Sequence, residues 1–212
     1  MIRTHKLGLV GVVEAKFQLE NVDKTVRRCF PAQWSYAHNG IPSRVARTLV
    51  GWDSQLLKVD VIGQNLIGDR RSLWGEMISL ASSIGYTPWI QIGDFNVVRR
   101  RSERVLGFDV GVAAEFNTCL DSIDMDDMPS KGMWFTWSNK RGGLGDVKSQ
   151  LDRTLSNSSW MDSFPESETT FLPLRVSDHC FIWVDILSSF PRRIPFKFFN
   201  YWMKHVQFKS EV

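Results

Sequence analysis

Three short, largely apolar runs, residues 7–13, 89–92 and 180–187, constrain this chain most, because each adjoins polar groups that a buried strand does not carry along its face. Runs this short, rich in β-branched residues and bounded by turn formers, read as buried strands; a helix needs ten or more residues. The first run delivers Glu14 at its end, the second leads into Gly93-Asp94-Phe95-Asn96, and Ser177-Asp178-His179 leads into the third. The polar groups therefore belong at the rim of a sheet. Carboxylates, an amide and an imidazole gathered there could hold a divalent cation and a phosphate.

Helical patterns alternate with these runs. Leu73, Met77, Leu80, Ala81 and Ile84 fall on one helical stripe, with Gly85 as its C-cap and Pro88 as a stop. Ala113, Phe116, Leu120 and Ile123 mark a second helix, and Asn21 could cap a short third one carrying Val22 and Val26. Residues 47–52 and 56–62 are strand candidates, with turn residues over 63–69. Residues 135–137 and 147–155 read as paired strands around the turn-rich 141–146. Helices interspersed among many short strands predict a layered α/β domain.

A length of 212 residues favours one domain with a sizeable core. Nine Trp and fourteen Phe exclude a disordered chain, which cannot carry so many aromatics. The net charge of +3 is small, but Arg99-Arg100-Arg101 and Arg104 concentrate cations just after the Asp94 motif. Cys29, Cys119 and Cys180 are odd in number and lack the C-x-x-C spacing of a thiolate metal site, which fits a reducing compartment. The amino-terminal run is too short for a membrane span and has no cleavage site. A soluble intracellular protein without a membrane partner is expected, with the nucleus as one place it could act.

Each polar motif has two readings. Asp94 and Asn96 are what a turn after a strand would contain, and they are also what lines a crevice at strand C-termini in α/β sheets. His179 alone is an ordinary strand-entry histidine; beside Asp178, its tautomer and charge are open to tuning. Adjacent strand residues face opposite ways, so Asp152 is poorly placed to pair with Arg153 and is free to serve His179. A solvated strand end accounts for Glu14 without chemistry. The arginines are either a solvated loop or, beside a phosphate site, a guide for a polyanion.

Taken in order, Glu14, Gly93-Asp94-Phe95-Asn96, Leu151-Asp152-Arg153 and Ser177-Asp178-His179 resemble the endonuclease/exonuclease/phosphatase superfamily. Residues 88–96, Phe135-Thr136-Trp137-Ser138-Asn139 and 157–160 resemble, within it, the apurinic-endonuclease-like domain of plant LINE-type (non-LTR) retrotransposons. The resemblance implies an α/β four-layer sandwich: two mixed sheets face to face, helices outside, one active site at the rim. It implies Mg²⁺-dependent hydrolysis of phosphodiesters, with Mn²⁺ as an alternative ion and DNA as the partner. Glu14 would ligate the metal, and Asp178 would assist at the metal or nucleophile side. Asp94 would position and deprotonate the attacking water. Asn96 would bond the phosphate, and His179, oriented by Asp152, would contact it. Arg99, Arg100, Arg101 and Arg104 would touch the nucleic-acid backbone.

The same resemblance places the domain at residues 1–189. Residues 190–212 look like the connector that precedes a reverse transcriptase, itself not in this chain. The chain starts after the position of the family's metal-site Asn and has Ile62-Gly63 where the family has Tyr-Gly. The interval from Trp52 to Ile62 is also short for the strands that usually lie there. An incomplete fold, a monomer and impaired catalysis are therefore expected. A non-catalytic nucleic-acid-binding relic is the main alternative, and a phosphatase of the same fold a further one.

Overall fold

The computed structural model describes residues 9–12, 19–38, 49–55, 70–173 and 177–186. In chain order these form β1 (Leu9–Val12), α1 (Val22–Cys29), β2 (Ser35–His38), β3 (Leu49–Trp52), α2 (Arg70–Ile84) and β4 (Ile90–Asp94). There follow α3 (Val110–Ser122), β5 (Met125–Asp127), β6 (Ser130–Gly132), β7 (Trp137–Ser138) and β8 (Lys148–Ser149). The last elements are β9 (Asp152–Asn157), α4 (Ser158–Ser163), β10 (Glu168–Phe171) and β11 (Ile182–Asp185).

The larger sheet has six strands in the order β2-β3-β1-β11-β10-β6. Its pairings are antiparallel except for β10 with β6, which is parallel. The smaller sheet, β4-β9-β5, is antiparallel along both pairings. Side-chain alternation makes each sheet two-faced. Ile90 and Ile92 of β4 pack with Leu9, Trp52, Phe171, Ile182 and Val184, so the two sheets share one core. The opposite face of β9 sends Leu155 into a second core with Trp74, Met77, Phe116 and Leu120 of α2 and α3. On the far side of the larger sheet, Phe30 and Trp34 cover Leu49, with Val26 of α1 and Trp183 alongside. The layers therefore run α1, large sheet, small sheet, α2 with α3: an α/β sandwich of four layers.

Local chemistry explains most boundaries. Gly85 closes α2 in the left-handed region at φ 61°, as a C-cap requires. Asp109 caps α3 by accepting from the Val112 N–H at 3.1 Å. Asn21 stands at the start of α1, but its side chain makes no capping bond, because a 3-10 turn over Leu19–Asn21 leads into that helix. The expected single strand over 147–155 divides in two. Thr136 Oγ1 accepts from both the Leu151 and Asp152 N–H groups, at 3.0 and 2.9 Å, where the chain leaves β8, paired with β7 in a two-stranded sheet, and enters β9 of the smaller sheet. The strand β2 had no sequence signal, since Ser35-Tyr36-Ala37-His38 does not alternate cleanly. The strand candidate at 56–62, Glu14, Ile62 and the connector at 190–212 lie outside the described residues.

Cys119 and Cys180 are free thiols. Burial pushes them up to about 11 and about 12, with the Asp152 charge adding to the second, so both stay protonated. No helix among the described residues is long and apolar enough to cross a membrane.

Gly132 closes β6 at φ 93°, and a Cβ there would meet the Phe171 carbonyl oxygen at 2.2 Å. Gly132→Ala should destabilise the fold by about 1–3 kcal/mol from backbone strain, with the clash adding to this. Gly75→Ala, in α2 with nothing within 4 Å, should instead stabilise by about 0.5–1 kcal/mol. Urea unfolding of the two variants checks both signs.

Candidate active site

The site starts from the register of β4 on β9. Asn157 brackets one end of this pair. Its Oδ1 accepts from Trp89 N–H at 3.0 Å and from Trp160 N–H at 2.9 Å, while its Nδ2 donates to the Thr87 carbonyl at 3.0 Å. One amide thus caps α4 and pins the start of β4. A slip of one residue would turn every side chain to the other face. With the register held, Asp94 lies directly opposite Asp152 at the other end of the pair. Alternation puts both on the face shared with Ile90 and Ile92, toward the larger sheet.

Asp152 is wholly buried, and a buried carboxylate needs partners. It has His179 Nδ1 at 3.1 and 3.0 Å from its two oxygens. The Thr136 hydroxyl bonds its carboxylate as well. With its two backbone acceptances, Thr136 uses its full hydrogen-bonding capacity at this point. His179 arrives on the segment leading into β11. Its N–H donates to Ser177 Oγ at 3.0 Å, Cys180 N–H donates to the Thr136 carbonyl at 2.8 Å, and Ser138 N–H donates to the Asp178 carbonyl at 3.1 Å. Residues 178–180 therefore run antiparallel to β7, with His179 opposite Trp137.

Nδ1–H faces Asp152, so Nε2 is the atom turned toward Asp94, whose Oδ2 is 3.9 Å away. That is an electrostatic contact rather than a hydrogen bond. Asp94 Oδ1 accepts the Asn96 N–H at 2.8 Å, and Asn96 sits exposed in the left-handed region at φ 53°. Burial opposes a charged His179. The hydrogen bond and charge of Asp152, then the charges of Asp94 and Asp178, outweigh it and raise the imidazole above its ordinary value. Burial also raises Asp152, against the lowering effect of His179 and Thr136.

Asp94, Asp152 and His179 each bring a donor atom within 4.8 Å of the other two. Two carboxylates and an imidazole could hold a cation. Both Asp152 oxygens, however, already face Nδ1, and drawing them to a metal would cost His179 its orienting partner. Asp94, less deeply buried, is the more accessible of the two carboxylates to water or a cation. Of the residues expected at the rim, Asp94, Asp152 and His179 are together; Asp178 adjoins His179 and its charge acts on the imidazole, and Asn96 is tied to Asp94 through its backbone N–H.

Arg99 corrects the sequence reading. It does not face solvent: at 6% exposure it bonds Asp126, Asp127 at 2.8 Å and Asn117 at 2.8 Å. Burial opposes its charge, but Asp127 and Asp126 raise its pKa further, so it stays a cation. Arg153, pointing away from Asp152, bonds Glu103 and Asp127. Glu103 also accepts the Arg99 N–H at 2.6 Å. These five residues form a buried ion lattice behind the site. Sequence reading missed it, and Thr136 with it, because charged residues normally signal surface. Arg100 and Arg101 are exposed and Arg104 is half-buried.

No family model and no curated protein matches the chain. Solved structures do. The endonuclease domain of TRAS1, a telomere-specific non-LTR retrotransposon, aligns at TM-score 0.55 with 13% identity, covering 84% of this chain and 94% of that one. The AP endonuclease LMAP from Leishmania major aligns at TM-score 0.61 with 13% identity, covering 88% and 80%. The chain adopts the endonuclease/exonuclease/phosphatase fold.

His179, followed by nuclear magnetic resonance, should titrate above the ordinary histidine value, and Asp152→Asn should bring it down. A raised folded-state value means the protonated imidazole stabilises the fold. That stability is complete below the unfolded-state value and is lost as pH rises through the folded-state value. Unfolding free energy should fall across that window, less steeply in Asp152→Asn. A His179 titrating at or below the free value would remove the electrostatic role of the pair.

Proposed function

We propose that this domain is a Mg²⁺-dependent phosphodiester hydrolase of endonuclease type, of retrotransposon descent, acting on DNA with reduced activity. The carrying observation is the Asp94–His179–Asp152 cluster, in which a buried carboxylate orients an imidazole whose other nitrogen faces a second carboxylate. Asp94 takes the proton of the attacking water. Asn96 bonds a phosphate oxygen. His179, held as a cation, donates from Nε2 to the scissile phosphate as charge builds in the transition state. Asp152 keeps the imidazole in place. Glu14 and Asp178 would hold Mg²⁺, and the ion would supply charge neutralisation at the phosphate. Ile62 supplies no hydroxyl where the resembling family has a phenol, which supports the reduced activity.

Nicking of supercoiled plasmid with Mg²⁺ or EDTA tests the reading. Slow, Mg²⁺-dependent nicking is expected, below the rate of an intact apurinic endonuclease, and His179→Ala should lower it by about 100-fold or more. Nicking indifferent to His179→Ala would sink the proposed mechanism. Absence of any nicking would leave the second reading, a DNA-binding domain without catalysis, which Ile62 also favours.

Phosphate contact is assigned to Arg100, Arg101 and Arg104, without Arg99. Replacing the three with Ala should reduce the slope of log affinity against log salt by roughly two to three. Arg99→Ala should act on stability instead, leaving charges buried. An unchanged slope in the triple variant would make the loop merely solvated.

A further inference from the structure

Trp134 is half exposed, at 52%, although tryptophan is usually largely buried. Its indole N–H donates to the Ser102 carbonyl at 3.2 Å. The single polar group of the ring is therefore used, and the ring is braced on the arginine loop. Arg101 Nη1 donates to the Arg104 carbonyl at 3.1 Å, and Arg104 Nε to the Leu106 carbonyl at 2.7 Å, so both guanidinium groups are fixed along the same loop. Val105, Leu106 and Met133, in the same two segments, also expose large apolar side chains.

The loop connects to the rim by a continuous row. Arg104 lies opposite Ser149, Ser149 opposite Trp137, and Trp137 opposite His179. Directly opposed residues on neighbouring strands share a face. Three strand spacings of about 4.8 Å put Arg104 about 14 Å from His179 along that face. A nucleic-acid strand rises about 3.4 Å per nucleotide in a duplex, so the loop stands about four nucleotides from a phosphate at His179.

We propose that Trp134 is a stacking platform for an unpaired nucleobase on this strand, so that the domain selects DNA with a single-stranded flank beside the cleavage point over continuous duplex. The inference rests on the DNA reading above. A base inside a duplex offers only its edges, which are read by hydrogen bonds. Trp134 has no donor left for an edge and offers a flat apolar face, which an unstacked base can cover. The arginines beside it select a polyanion over an apolar protein partner.

The test is anisotropy with two labelled probes, a continuous duplex and the same duplex carrying a short single-stranded flank, in EDTA so that neither is cut. The parent should bind the flanked probe about tenfold tighter, a factor within the range of one stacked base. Trp134→Ala should erase that preference, and Trp134→Phe should keep most of it. Equal binding of both probes by the parent, or a preference that survives Trp134→Ala, overturns the proposal. A second arm needs no variant: a flank carrying 5-iodouracil, photocrosslinked to the parent, should map to Trp134, and mapping elsewhere overturns it. Failure here with His179-dependent nicking intact removes the platform and spares the hydrolase. A Trp134-dependent preference without nicking does the reverse.

Discussion

The buried ion lattice around Arg153 is the interaction on which the rest of the site depends. The Arg153 guanidinium has no exposed surface, and with Arg99 it faces Glu103, Asp126 and Asp127. A buried cation cannot lose a partner cheaply; breaking such a pair costs about 3–5 kcal/mol. The lattice therefore clamps together the loop after β4, strand β5 and strand β9. The next residue back along β9 is Asp152, on the opposite face. Whatever holds Arg153 fixes the backbone of Asp152, and through it the imidazole of His179. The chemistry at the rim is braced from behind, by groups that never meet a substrate.

That arrangement also decides what was legible in the sequence. The convergence of Asp94, Asp152 and His179 could be read, because Asp94 and His179 adjoin apolar runs and strand alternation frees Asp152 from Arg153. A layered α/β domain could be read from α2, α3 and the runs of β4 and β11, whereas the count of four layers came only with the family resemblance. The lattice could not: Arg99 in a triplet of arginines looks like surface, and only its partners, 27 and 28 residues away, make it core. The split between β8 and β9 was hidden for a similar reason, since it depends on a hydroxyl fifteen residues earlier in the chain. Long-range polar pairing leaves no periodic trace, whereas apolar burial does.

Register shows the same division. The sequence places Asp94 after a strand and Asp152 within one, but does not say that they oppose each other. Asn157 settles this, at the far end of the strand pair, by serving Trp89, Thr87 and Trp160 at once. A side chain that caps a helix thereby determines which carboxylates meet several residues away.

Charge at the rim separates the work of the arginine loop from that of a cation. Asp94, Asp152 and Asp178 surround a single imidazole and all act on its charge. With His179 hydrogen-bonded to Asp152, the charges of Asp94 and Asp178 also favour its protonated form. The arginines near residue 104, about 14 Å along the sheet face, stand beyond the screening length of about 8–10 Å at ordinary salt. They can draw a polyanion toward the domain, but they cannot neutralise the point where a phosphate would react. A divalent cation held at the rim would act on that phosphate directly. That gives the ion and the loop distinct tasks, one at the reacting phosphate and one on the flanking strand.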